Sequence, residues 1–213
     1  MAWNFADMIA EYHIAVLTET LGPHFSASAL QQIIRANLGQ DSGWTQFQMY
    51  VHFDNCAFAE GRAFVEQQHA LIAGTDDPNL MRAALGRLTH AVQDFYSHSN
   101  YVDLWLEANG GFAKARPEDM DGLDPVLLNH PNLTSGYFYL WRDLIYYLPI
   151  VDRFAKKYLV FPGSHEAMNL DDPSTGPKFP YSIVAAKQRT LAEYQRALQS
   201  LDPERATRFH DKP

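Results

Sequence analysis

One cysteine, Cys56, stands in 213 residues. That excludes an internal disulfide framework and a cysteine-built zinc site. No run of about 18 apolar residues occurs, so no membrane-spanning helix is expected. The opening MAWNFADMIAEYH lacks a basic head and an apolar signal core. It predicts a cytoplasmic protein, or one exported without a cleaved signal peptide. Cations are scarce, with 17 Lys and Arg against 25 Asp and Glu, a net charge of −8. Bulk charge of that sign repels nucleic acid, which becomes the less favoured partner. Internal repeats, low-complexity tracts and convincing period-two strands are missing too. The expectation is an all-α fold, a single helical-bundle domain over 1–213.

What the chain does have is nine histidines, and they fall in telling places. A first helix is predicted over Trp3–Leu21, with Phe5, Met8, Ile9, Tyr12 and Val16 on its apolar side and His13 beside that face; Gly22 and Pro23 stop it. A second runs from about Ser26, a plausible cap, to Asn37. DSGWTQFQ reads as a connector. His52 and Asp54 precede a third amphipathic helix, roughly Ala57–Ala73, which carries Glu66 and His69. That Glu-x-x-His spacing also occurs in di-iron carboxylate bundles, but those need a second such motif, and only one is present.

The centre of the pattern is THAVQDFYSHSNYVDL, Thr89–Leu104. Asp77 and Pro78 are a good N-cap and first helical residue for it. Leu85, Leu88, Val92 and Phe95 recur at three- and four-residue steps, as a buried face requires. His90 and Asp94 are four apart and His98 lies one turn further, so imidazole, carboxylate and imidazole share one stripe. A carboxylate among Phe95, Tyr96 and Tyr101 needs a cation or donors to offset its desolvation. Zinc accepts nitrogen and carboxylate oxygen ligands, and would meet that need.

Beyond it, Ser99–Asn109 predicts a shorter helix, and 112–132 a long loop containing His130. Ser135–Tyr158 is aromatic, with Tyr137, Phe138, Tyr139, Trp141, Tyr146 and Tyr147; Pro149 should break it into two helices. These rings suit a core, a substrate wall or a lipid-facing rim. A second long loop, 159–180, carries His165, Glu166, Asn169, Asp171 and Asp172. A last helix is expected over Tyr181–Leu201, with 201–213 as a frayed tail.

HFDN, a helical histidine, and then H-x-x-x-D-F-Y-S-H-S-N together resemble the HET-C-related branch of the zinc-dependent phospholipases C. That branch is similar in turn to the single-strand-specific zinc nucleases. The resemblance implies a helical bundle, with long loops carrying part of a cleft for two or three zinc ions, and a hydrolase acting on phosphodiesters. It implies Asp54, His69, His90 and Asp94 as ligands of one zinc, and Asp94 as a bridge to a second that His13 helps to hold. It assigns His98 and His165 to the third. Where the family has a carboxylate four residues after the last histidine, this chain has Asn169, with Glu166 and Asp171 as possible substitutes. The family's amino-terminal tryptophan ligand is not matched, because Met1 and Ala2 precede Trp3. The implied chemistry is attack by a metal-activated hydroxide, with Asp54 able to accept the proton. His52 and Asn100 would orient ligands or substrate. The aromatic stretch Tyr137–Tyr147 and the net charge of −8 favour a phospholipid or another amphiphilic phosphoester over nucleic acid as the substrate. The alternative reading is a non-catalytic helical protein keeping a partial metal site, or another metal-dependent hydrolase or cyclase on the same bundle.

Overall fold

The Asp77 side chain accepts a hydrogen bond from the Asn79 amide at 2.8 Å, and Pro78 opens the helix behind it. This is the cap that the sequence predicts. The computed structural model describes residues 5–139 and 160–212. In chain order its helices are α1 (Phe5–Leu21), α2 (Ala27–Leu38), α3 (Met49–His52), α4 (Phe58–Gly74), α5 (Pro78–His98) and α6 (Tyr101–Ala108). They continue with α7 (Pro125–Leu128), α8 (His165–Met168), α9 (Phe179–Gln199) and α10 (Pro203–His210). Among the described residues there is no strand, only isolated bridges pairing Ser99 with Ser135 and Tyr137 with Ser164. The fold is all-α. No described helix is long and apolar enough to cross a membrane.

α5 is the axis, packed by α2, α4 and α9 and, less extensively, by α3, α8 and α10. Its apolar spacing predicts one buried face; instead every residue from 88 to 99 is buried. The polar face of an ordinary surface helix is here turned onto neighbouring helices, so Thr89, His90, Gln93, Asp94 and His98 must find partners inside. Gly86 makes the closest of these packings possible. A Cβ there would lie 2.4 Å from the Ile33 carbonyl oxygen and 3.0 Å from the Asn37 amide nitrogen, so α2 could not come so near.

The expected tail does not fray. Asp202 caps α10 by accepting from the Arg205 amide at 2.9 Å. Arg205 donates to the carbonyls of Ile72, Ala73 and Thr75, the unpaired end of α4. The buried Arg82 of α5 donates to the Phe209 carbonyl at 2.9 Å and to that of Arg208. Phe209 is fully buried against Phe25. The two long loops also gain structure: a 3₁₀ turn at Pro117–Asp119 and α7 in the first, and α8 and a turn at Pro173–Thr175 in the second. Trp3, Trp141, Tyr146, Tyr147 and Pro149, with most of the helix pair expected over 135–158, lie outside the described residues.

Candidate metal centre

Four side chains from three separate pieces of chain meet beside the middle of α5. His90 and Asp94 come from α5 itself, His52 from the end of α3, and Asp41 from the 3₁₀ turn at Gly39–Asp41. One ligand atom of each lies within 4.8 Å of all the others. The Asp94 Oδ2 atom is 2.8 Å from His52 Nδ1 and 3.1 Å from His90 Nε2. His90 Nε2 is 3.1 Å from His52 Nδ1 and 3.4 Å from Asp41 Oδ1. On the other side of the carboxylate, Asp94 Oδ1 is 3.3 Å from His13 Nε2, brought in by α1.

The tautomers follow from what surrounds each ring. His52 Nε2 faces the Thr45 carbonyl at 3.2 Å, and a carbonyl can only accept. Nε2 therefore carries the proton, and in the neutral ring Nδ1 points a lone pair at Asp94 and His90. Gln93 settles His13 in the same way. Its Oε1 accepts from Asn37 at 3.2 Å, while its Nε2 donates to Thr190 at 3.0 Å. His13 Nδ1, at 2.7 Å from that Oε1, must donate, which leaves the Nε2 lone pair facing Asp94. Lone pairs of His13 and His52 and the carboxylate oxygens thus converge, and the ring nitrogen that faces them with a proton to give is His90 Nε2.

With protons as the available cations, burial works to lower the His90 pKa, but the Asp41 and Asp94 carboxylates outweigh it and push it up to about 10. Asp94 is itself opposed by burial, yet the His90 charge and contacts from His13 and His52 hold it well below the usual carboxylate range. A field this strong for a proton also favours a divalent ion, whose histidine ligands would need to be neutral.

A second group forms around the last turn of α5. His165, first residue of α8, sets Nδ1 2.9 Å from both oxygens of Asp54. Its ring stacks on that of His98 at 3.8 Å, and His98 Nε2 lies 3.8 Å from Asp171 Oδ2. His98 Nδ1 is buried with no partner among the described residues. Burial and the nearby His165 hold the His98 pKa well below its usual value. Burial likewise opposes charge on His165, but Asp54 raises its pKa to about 9. Burial lifts the Asp171 carboxyl to about 6. The carboxylate beside His98 is thus Asp171, and Asn169 serves it by accepting from the Asp171 amide at 2.8 Å.

Backbone strain links the two groups. Phe53, Asn55 and Cys56 all have φ near +55°, and none is glycine. Such residues persist only where the surroundings hold them. Ser135 does so, donating to the Phe53 carbonyl and accepting from the Cys56 amide at 2.8 Å. Gly136 follows, where a Cβ would stand 2.5 Å from the His165 Cα. The result aims His52 into one group and Asp54 into the other.

Several expected ligands are placed elsewhere. His69 is not with the others: its Nε2 meets Glu193 Oε2 at 2.7 Å and ties α4 to α9. The structure therefore does not bring together the expected set of Asp54, His69, His90 and Asp94: Asp54 faces His165, and the side chains that meet His90 and Asp94 are His52 and Asp41. Asn100 holds the 132–134 backbone, donating to the Asn132 carbonyl and accepting from the Thr134 amide. Glu166 sits half-buried on α8 next to His165. Asp41 was not legible, because the connector around it carries no periodicity. The only sequence signal is an acidic residue shortly before His52.

Comparison with known proteins finds similarity over about half of the chain. Residues 9–109 match the family model of the VWA7 N-terminal domain. Relatives named von Willebrand factor A domain-containing protein 7 agree. The rat protein is 32% identical over 133 residues, 52% of this chain and 15% of its own length. The human protein is 40% identical over 81 residues, 36% of this chain and 9% of its own. The mouse protein is 33% identical over 144 residues, 55% of this chain and 16% of its own. The chain thus spans less than a fifth of the VWA7 proteins it matches. No solved structure matches it. These matches overturn the resemblance to the HET-C-related phospholipases C and zinc nucleases. The assignments that depended on it fall with it: hydrolase, phosphodiesterase and phospholipase C-like activity, and Asp54 as a catalytic base. The VWA7-matched stretch contains His13, Asp41, His52, Asp54, His90, Asp94 and His98, while His165 and Asp171 lie beyond it.

Proposed function

We propose that this chain is a metal-binding helical domain in which a divalent ion, zinc by its donor set, cross-links α5 to the segment that precedes α4. The reading rests on the converging lone pairs of His13 and His52 on Asp94, which call for a cation in a buried place. Asp41, His52, His90 and Asp94 would hold the ion with nitrogen and carboxylate oxygen donors, a set that zinc accepts. Thr45 and Gln93 would fix the ligand rings by taking their other protons. Asp54, His98, His165 and Asp171 would hold a second ion, supported by the unpartnered His98 Nδ1. The ions would work structurally, fastening the segments that carry Asp41, His52 and Asp54 to the bundle axis.

The test is metal content after purification and dialysis, by plasma emission spectroscopy, followed by cobalt substitution and visible absorption. Asp41→Ala is the informative variant, because the Asp41 side chain is 37% exposed and its loss should not disturb folding. Bound zinc in the wild type that falls in Asp41→Ala supports the reading. Metal at background level in a folded wild type loaded with excess zinc refutes it.

A further inference from the structure

On the side of α5 turned away from the histidines lies a cavity of about 160 Å³. Phe53, Val92, Phe95, Tyr96 and Leu128 wall it. The rings of Phe53 and Phe95 meet edge to face at 5.5 Å, and those of Phe95 and Tyr96 at 4.9 Å. A wall of this kind accepts another ring in the same manner. A dry apolar cavity of about 150 Å³ admits a benzene molecule, so one six-membered ring is the right size.

Two arginines stand at the opening, and they differ. Arg189 is committed, with Nε at 2.5 Å from Glu193 Oε1. Arg62 projects from the exposed side of α4 and has no hydrogen-bond or ion-pair partner among the described residues. In a chain of net charge −8, a free guanidinium at an apolar mouth sets the sign of whatever enters. Its planar fork matches a carboxylate, two donors to two oxygens.

We propose that this cavity is a binding site for a small aromatic carboxylate, with the ring among Phe53, Phe95 and Leu128 and the carboxylate on Arg62. It is a separate site from the metal centre and does not depend on an ion there. The neutral ring gains from leaving water, and the charged end stays at the surface where its desolvation is small.

Calorimetric titration with phenylacetate and with toluene tests it, on the wild type, Arg62→Gln and Leu128→Trp. Wild type should bind phenylacetate saturably and more tightly than toluene. Arg62→Gln should weaken phenylacetate about tenfold, the size of one lost charge-assisted contact, and leave toluene unchanged. Its melting temperature should hold, since Arg62 is exposed and unpaired. Leu128→Trp fills the cavity from its half-buried edge and should abolish both. Equal binding of the two probes, phenylacetate affinity untouched in Arg62→Gln, or no saturable phenylacetate binding by the wild type would each overturn the proposal.

Discussion

Asp94→Asn is the sharpest perturbation of the metal centre. Asp94 is 3% exposed, and its two oxygens face His13 at 3.3 Å and His52 at 2.8 Å. Asparagine keeps the shape and one acceptor. It removes the charge, and it must turn an amide NH₂ toward at least one of the histidine lone pairs that an ion would use. Losing a charged ligand of this kind should weaken zinc about a hundredfold, roughly 2.7 kcal/mol. With free zinc at about 1,000 times the wild-type Kd, binding adds about 4.1 kcal/mol to stability. The same zinc is then only about ten times the variant's Kd, and adds about 1.4 kcal/mol. A chain of this size gains about 2–4 °C in Tm per kcal/mol, so the zinc-induced rise should drop from about 8–16 °C to about 3–6 °C. Scanning calorimetry with zinc and with chelator measures both rises. Each is taken against that protein's own metal-free Tm, so the cost of altering a buried group cancels. An equal rise in the two proteins would refute the reasoning, because zinc would then be binding away from Asp94.

Three further outcomes are expected. His69→Gln should leave metal content unchanged while lowering Tm, since His69 ties α4 to α9 through Glu193; loss of metal in that variant would return His69 to the metal centre. Gly86→Ala should destabilise by about 1–3 kcal/mol, the range for overpacking, because the new Cβ meets α2 backbone that cannot rotate away; an unchanged urea midpoint would show that α2 can shift. His210 has its pKa lowered by burial and by the charges of His24, Lys212 and Arg82. The unfolded chain therefore binds that proton first, and stability present above about pH 6.5 should decline as pH falls through the folded value. In His210→Gln the decline between about pH 7.5 and 5.5 should be shallower, and identical slopes would remove His210 from the account.

The axis of the fold was plain in the sequence, for local reasons. Asp77 and Pro78 announce a helix start, and the spacing of His90, Asp94 and His98 fixes a stripe whatever surrounds it. What surrounds it was not plain. The burial of α5 on all sides depends on α9, about a hundred residues away, and nothing near Thr89 or Gln93 says that Asn37 and Thr190 will be their partners. His69 has the same difficulty: Glu193 is 124 residues further on, so a ligand and an ion-pair histidine look alike in one dimension. Asp41 sits in an aperiodic connector. The left-handed residues Phe53, Asn55 and Cys56 carry no glycine to betray them. The phospholipase resemblance failed for a related reason. H-x-x-x-D-F-Y-S-H specifies what one face of a helix presents, and such a face can serve a metal centre without naming a reaction.

The docking of α10 bears on how the chain folds as it is made. Residues 9–109, the part matched to VWA7, contain all four residues of the first group, but α9 and α10, which pack on α5, lie beyond it. Lys212 reaches the Pro23 carbonyl, and the Ser26 amide donates to that of His210 at 2.9 Å, so chain separated by nearly the whole sequence is stitched together. Such distant pairings form late and slowly. During synthesis Asp41, His52, His90 and Asp94 leave the ribosome before the last helices that pack on α5. Gathering of these four side chains and closure of the core are therefore separable in time. A fragment cut at residue 109 would keep these four side chains and lose the packing of α9 and α10 on α5.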